Sequence, residues 1–373
     1  MVKTQEYPVI TKKHLALIAP LDWGLGHTTR CIPIIAELTK NNFEIVIACN
    51  SIQKSVLGPE FPDALFINLE GYNLKYGSSR FLTITKLFLQ LPKILISIKQ
   101  ENLQLKRILT QFSPNIIISD NRYGVFSSSI PSIFITHQLD ILTGTGVLNN
   151  RIARFVTHKL IGRFSECWVP DFDTGFKFAG RLSRAPASVP FRVRYIGALS
   201  RFHTCGTTTL EEYILVVLSG PEPQRSRLEE ILLRQLAATA VSVILVRGVP
   251  PDRPVPVTGS NITMINFSSG KALNALICGA KYVVSRSGYT SIMDLLKLRK
   301  KTILIPTPGQ AEQEYLARYL SQQNIAVACN QASLDIEQCI NAAADIKLPP
   351  QSDMNFYKTA ISDSIKRLVG VTV

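Results

Sequence analysis

Two series of apolar strand-like runs alternating with helical periods, a polar glycine-bearing break between them, and a length of 373 residues predict an α/β protein. Its expected form is two Rossmann-like domains facing each other across a cleft. One core stops growing well before this length, so two are expected. Continuous Ile, Val and Leu runs mark strands covered on both faces, as in a parallel sheet. Helices between such strands imply right-handed crossovers.

The first domain is expected over residues 1–205. His14–Ala19 reads as a buried strand, followed by a glycine loop and a helix from His27 to Asn41. Glu44–Cys49, Asn115–Ser119 and Ser132–Thr136 are the next strands. Residues 201–209 are polar and lack periodicity, so the linker is placed there. The second domain, residues 210–350, is expected to carry strands at Tyr213–Leu218, Val241–Val246, Ile262–Ile265, Tyr282–Ser285 and Thr302–Ile305. After Pro349-Pro350, residues 351–373 hold a last helix, Asp353–Leu368, expected to pack back toward the first domain.

With 46% hydrophobic and 18% charged residues the chain can fill two cores and is neither disordered nor fibrous. No apolar stretch is long enough to span a membrane, and the N-terminus has no secretory h-region. The seven cysteines are scattered without a Cys-x-x-Cys spacing, which supports neither a zinc site nor a disulfide frame. A cytoplasmic location is expected. The net charge of +14 is concentrated early: 23 Lys and Arg against 13 Asp and Glu in residues 1–200, then 18 against 14. Such a charge suits nucleic acid, an anionic membrane surface or a phosphorylated substrate.

Chemistry is expected at strand ends, where open α/β sheets bind their ligands. Gly24-Leu25-Gly26-His27 lies on the first strand–helix turn. Glycine lets a ligand approach the backbone there, and the helix N-terminus favours an anion. Thr29 replaces the third glycine of a dinucleotide fingerprint, and Cys49-Asn50 stands where its acidic residue would be, which argues against NAD. His27 suits a general base, or a helix-start histidine bonded locally. Asp120-Asn121-Arg122 and His137-Gln138 follow two further strands and read as cleft residues or as ordinary turns. In Ser285-Arg286-Ser287-Gly288-Tyr289-Thr290, small residues at a helix start could hold a diphosphate. Asp294, two turns in, could meet ribose hydroxyls or be a solvated helix residue. Pro306-Thr-Pro-Gly-Gln310 and Glu312-Gln313-Glu314 form the next loop and helix start.

The order Ser-Arg-Ser-Gly, an acidic residue, a strand ending in Pro, then Gln-Glu-Tyr resembles the donor half of glycosyltransferase family 28, whose best-known member completes lipid II. The match is most specific between Ser285 and Tyr315, with Gly24–His27 and His137-Gln138 as looser N-terminal counterparts. The resemblance implies the GT-B fold, with the acceptor in the first domain and the nucleotide sugar in the second. It implies inverting transfer from a nucleotide-diphosphate sugar, with uridine favoured, and neither cofactor nor metal. In this reading Asp294 holds the ribose, and Gln313 with Glu314 contacts the sugar. Ser219, Gly220, Arg286, Ser287, Gly288, Tyr289 and Thr290 surround the diphosphate. His27, with Asp120 and His137 as next choices, takes the acceptor proton, and Gly24, Gly26, Asn121 and Arg122 form the acceptor side. The Asp171-Phe-Asp173 triplet is read as a strand-end turn.

The sequence departs from the family in Asp22-Trp23, where glycines are usual, in Pro221 and Pro223, which lack N–H donors, and in Asp294 for Glu. These departures point to a relative with another acceptor. The architecture is shared by non-hydrolysing UDP-N-acetylglucosamine 2-epimerases and by GT-B-like subunits that bind without turnover. Residues 75–107 hold seven Lys and Arg against Glu101 alone, among many apolar residues. That segment, and Arg151–Arg163, read as peripheral membrane surface for a lipid-linked acceptor of the cell envelope, or as helices packed on the sheet. No nucleic-acid-binding motif is present.

Overall fold

The computed structural model describes residues 14–69, 71, 80–206, 213–349 and 353–370, with side chains throughout except at 80–94. Seven strands form the first sheet: β1 (His14–Pro20), β2 (Phe43–Cys49), β3 (Leu65–Asn68), β4 (Ile116–Asp120), β5 (Ser132–Ile135), β6 (Glu166–Val169) and β7 (Val193–Tyr195). Their order is β3-β2-β1-β4-β5-β6-β7, and every pairing is parallel. Helices α1 (Leu25–Lys40), α2 (Ser51–Leu57), α3 (Arg80–Gln111) and α4 (Val147–Ile161) connect them.

The second sheet holds β8 (Tyr213–Val217), β9 (Ser242–Val246), β10 (Ile262–Ile265), β11 (Tyr282–Ser285), β12 (Thr302–Leu304) and β13 (Ala326–Ala328) in the order β10-β9-β8-β11-β12-β13. Helices α5 (Gln224–Leu236), α6 (Gly270–Gly279), α7 (Tyr289–Lys297), α8 (Ala311–Gln322) and α9 (Ile336–Ala343) surround it. Helix α10 (Phe356–Val369) ends the described chain.

The long apolar strands lie where the sequence places them, with ends moved by a residue or two. Asp120 closes β4 opposite Pro20 of β1 rather than opening a loop. The short strands β3, β6, β7 and β13 carry too little periodicity to be read in advance. In β6, Glu166-Cys-Trp-Val is fully buried although it opens with a carboxylate.

That carboxylate explains where α10 goes. Glu166 is 0% exposed, accepts from Ser364 Oγ, and receives Arg367 Nη2 at 2.8 Å on both oxygens. Trp168 Nε1 bridges Glu166 and Ser364 at 3.2 Å to each. Ile361 and Ile365 share one apolar cluster with Ile34, Ile35 and Leu38 of α1. Helix α10 is thus clamped to the first sheet by one buried acid. Glu166→Ala is expected to cost about 2–3 kcal/mol, read from the urea midpoint, because Arg367 loses its counter-ion but still reaches water. An unchanged midpoint would show that apolar packing alone holds α10.

The same cluster continues through Tyr289, Ile292, Met293 and Leu296 of α7 to Leu316 and Leu320 of α8. The two domains therefore share apolar packing behind the cleft. Two cysteine pairs correct the expectation of no disulfide frame. Cys205 of the linker bonds Cys278 at the end of α6, and Cys329 bonds Cys339 of α9. Cys205 and Cys278 are 73 residues apart and meet only because the linker folds onto α6. Cys31, Cys49 and Cys167 are free and buried.

No helix among the described residues is long and apolar enough to cross a membrane. Of the basic segment 75–107, Lys75 lies outside the described residues, as do the side chains of Arg80, Lys86 and Lys93. In its described part Leu95 and Ile96 are more than half exposed while Ile98 is buried.

Candidate active site

The central strands β1, β4 and β5 end side by side, so their C-terminal residues meet at one edge of the sheet. The chain turns from β1 into α1 through Gly24, whose φ of +85° disfavours a side chain. That turn sets His27 in the first turn of α1, and Arg30 follows one turn later on the same face.

His27 Nδ1 lies 3.1 Å from Asp120 Oδ1. Arg30 grips the same carboxylate with two nitrogens, Nε reaching Oδ2 at 2.7 Å and Nη2 meeting Oδ1. Its remaining Nη1 is 3.4 Å from His137 Nδ1. Asp120 and Arg30 are almost wholly buried. Burial alone would raise the Asp120 pKa, but the Arg30 guanidinium and His27 outweigh it and hold the carboxyl well below the usual range. Burial, helped by Arg30, pushes the His27 imidazole down against the pull of Asp120. With Nδ1–H donating to Asp120, His27 keeps an unprotonated Nε2 at neutral pH, which is the state a base needs.

The other wall comes from the second domain. Glu312, in the first turn of α8, places Oε1 2.7 Å from His137 Nε2 and also meets the Gln138 amide. The Tyr289 ring stacks on His137 at 4.1 Å and its hydroxyl donates to Pro170 O at 2.6 Å. Thr290 Oγ1 donates to Gly26 O at 3.2 Å, which sets the N-terminus of α7 against the first turn of α1, where His27 lies. Burial opposes ionisation of Glu312, yet His137 brings its pKa below the ordinary value.

The structure brings His27, Asp120, His137, Gly26, Tyr289 and Thr290 into one cluster and sends other sequence candidates elsewhere. Asn121 takes a left-handed φ of +56° beside it. Arg122 is fully buried, with Nε 2.7 Å from Glu101 Oε1, so its guanidinium faces α3 rather than the cleft. Arg286 turns into its own domain, donating to Ile305 O, Pro306 O, Gln224 O and Gln331 Oε1. Ser287 Oγ donates to Gln313 O. Gln313 Oε1 accepts from Thr307 N, and Glu314 Oε1 accepts from Gly309 N, both at 2.9 Å. These two side chains therefore brace the Thr307–Gln310 loop. Gly288 caps α7, and a Cβ there would meet nothing within 4 Å. Ser219 and Gly220 follow β8, with Gly220 at φ +101°.

Asp294 is buried beneath the linker, where it accepts from Ser200 Oγ. Burial drives its pKa up to about 6, against Ser200, Arg201 and Lys297. Asp171 accepts from the backbone N–H groups of Phe172, Phe178 and Ala179 and from Ser183 Oγ, so it organises a turn. Among the described residues no cluster of three or more His, Cys, Asp or Glu could hold a metal ion.

Sequence reading missed Arg30, Glu312, Ser200 and Arg201. Arg30 had a signal, its i,i+3 spacing from His27. Glu312 had none to single it out from Gln313 and Glu314.

Residues 203–368 match the glycosyltransferase family 28 C-terminal domain. A relative from Legionella pneumophila (strain Lens), a UDP-N-acetylglucosamine--N-acetylmuramyl-(pentapeptide) pyrophosphoryl-undecaprenol N-acetylglucosamine transferase, is 24% identical over 92% of this chain and 90% of its own length. An uncharacterized glycosyltransferase of Methanosarcina acetivorans is 22% identical over 80% of this chain and 81% of its own. Among solved structures, the kitacinnamycin glycotransferase superposes with a TM-score of 0.64 at 14% identity, covering 96% of both chains. A spinosyn rhamnosyltransferase complexed with thymidine diphosphate does so with 0.63 at 11% identity, again covering 96% of both. Two parallel sheets, a shared cleft and these likenesses identify the fold as GT-B, and the chain is a glycosyltransferase whose residues 203–368 match the family 28 C-terminal domain.

Proposed function

We propose that this glycosyltransferase moves the sugar of a uridine-diphosphate sugar onto the hydroxyl of a lipid-linked acceptor, with inversion and without a metal. The observation that carries the reading is the Thr290–Gly26 contact. It holds the start of α7 against the turn that carries His27, which supports a donor and a base meeting in one cleft. His27 Nε2 takes the acceptor proton as that oxygen forms its bond to the anomeric carbon. The bond from that carbon to the diphosphate oxygen breaks on the opposite face, so one displacement inverts the centre. Asp120 stabilises the imidazolium that forms. The positive end of α7, with N–H groups lacking intrahelical acceptors, carries the charge of the leaving diphosphate. Uridine is supported by the donor named for the Legionella relative.

A lipid-linked acceptor and a membrane surface are supported by the exposed faces of the first domain. Trp23 and Leu25, beside His27, are 40% and 43% exposed. On α4, Val147, Leu148, Ile152 and Phe155 are at least half exposed, interleaved with exposed Arg151 and Lys159. Leu21, Ile98 and Leu160 share one small cluster, so α3 and α4 flank the approach to the same loop. Apolar residues ringed by cations suit an anionic bilayer at the cytoplasmic face.

Calorimetric titration with UDP, GDP and dTDP, run beside Asp294→Asn, tests the donor. UDP alone should bind, and where the ribose displaces Ser200 Oγ from the Asp294 carboxylate the variant should lose about tenfold, as expected for a hydrogen bond to a carboxylate. Because the carboxylate is the accepting form, UDP affinity of the wild type should fall as pH drops through about 6. In the Asp294→Asn variant that dependence should vanish. Stability runs the other way: a carboxyl raised in the folded state favours folding at low pH, an advantage lost as pH rises through about 6. Preference for another nucleotide would overturn uridine. Transfer assays on polyprenyl-phosphate acceptors in anionic vesicles, with the product anomer read by NMR, test the rest. A retained anomeric configuration would exclude the single displacement.

A further inference from the structure

In the second sheet Val217, Ser285 and Leu304 stand side by side. Gly220, Gly288 and Thr307 each follow three residues later, at the strand ends that border the donor helix start. Thr307 is 2% exposed, and among the described residues its Oγ1 has no hydrogen-bond partner. A buried hydroxyl left unpaired is costly, so such a group needs a reason. This one lies toward the Gly220 loop. A Cβ at Gly220 would find Thr307 Oγ1 at 3.8 Å and nothing nearer, and a Cβ at Gly288 would find nothing within 4 Å. The orphaned hydroxyl thus faces the Gly220 loop, which lies in the same row of strand ends as Gly288 at the start of α7.

The loop after β8 offers an anion fewer N–H groups than a loop without proline. Pro221 and Pro223 have no N–H. At the start of α5, Arg225 N donates to Pro221 O and Ser226 N to Glu222 Oε2. That helix start is therefore already capped by the Glu222 carboxylate, which Arg225 Nε holds at 2.7 Å. Across the sheet, Gln313 fixes the Thr307 backbone through its N–H and is itself tied to Ser287. The hydroxyl is held in place by the same residues that shape the start of α7.

We propose that Thr307 Oγ1 donates a hydrogen bond to the distal phosphate of the nucleoside diphosphate, replacing the contact that Pro221, Pro223 and Glu222 remove from the β8 loop. The assignment rests on the donor site proposed above. Thr307 is then a donor-binding residue that distinguishes nucleoside diphosphates from monophosphates.

Titration of UDP and UMP into the wild type, Thr307→Val and Thr307→Ser tests it, with thermal melts of each unliganded protein. Thr307→Val keeps the shape and loses only the hydroxyl. It should weaken UDP about 10- to 100-fold, the range for hydrogen bonds to charged groups, and leave UMP unchanged. Thr307→Ser should bind UDP nearly as the wild type does. The unliganded Val variant should melt no lower than the wild type, since it removes an unpaired polar group. Wild-type affinity of Thr307→Val for UDP would overturn the assignment. Equal loss of UDP and UMP would overturn it too, as would a Ser variant as weak as Val, because the effect would then be packing. A wild type that binds neither nucleotide would instead overturn the donor site itself, and the Thr307 assignment with it.

Discussion

Replacing His27 by Ala is expected to lower the turnover number by about 10²- to 10⁴-fold, the range general base catalysis contributes, while UDP affinity changes by less than about twofold. The split follows from where His27 sits. Its side chain belongs to the first-domain cluster with Asp120 and Arg30, and the proposed diphosphate position is on the other wall of the cleft. Single-turnover rates beside calorimetric UDP titration separate the two effects. Parallel loss of binding and rate would remove the base assignment. Because burial and Arg30 hold the imidazole below its ordinary pKa, the acidic limb of the wild-type rate profile should fall below the usual histidine range.

Asp120→Asn should have the larger combined effect, since Asp120 serves catalysis and folding together. An amide at this position can leave His27 in the wrong tautomer, a change that elsewhere costs as much as about 10⁴ in rate. It also strands Arg30, 2% exposed, without its counter-ion. Breaking a buried pair from one side costs about 3–5 kcal/mol. Guanidinium denaturation and turnover measured on one preparation would show both losses. The acid dependence of stability carries a sign as well. A carboxyl depressed in the folded state stabilises the fold above its unfolded pKa and loses that contribution as pH falls through its folded value. Asp120→Asn should therefore flatten the acid limb of the stability curve. The pair Asp120→Leu with Arg30→Met should recover much of the stability and none of the activity. Recovered activity would show that the carboxylate does not act through His27.

Much of the site was legible one residue at a time. His27 stood in a glycine turn between a strand and a helix, and Asp120 and His137 stood at the ends of apolar strands. Such positions follow from local chain chemistry, because glycine permits the turn and unbroken Ile-rich runs make buried parallel strands. Their mutual contact was not legible, since it depends on β1, β4 and β5 being neighbours in the sheet. Arg122 looked like a cleft residue from its place after β4, yet a carboxylate 21 positions earlier, Glu101 on α3, draws it away. The cysteines gave the opposite lesson: scattered in sequence, two pairs meet in space.

The α/β class, the two-domain plan and the strand-end position of the candidate residues can be read from the chain before it folds, because hydrophobic periodicity and turn residues act over a few positions. Which charges pair is settled only in the folded molecule. Arg30 joins Asp120 across 90 residues, Glu312 reaches His137 across 175, and Thr307 has its hydroxyl left over beside Gly220. The physical reason is that burial strips each group of water, so its partner, or its lack of one, is set by whatever the packed fold brings within about 3 Å.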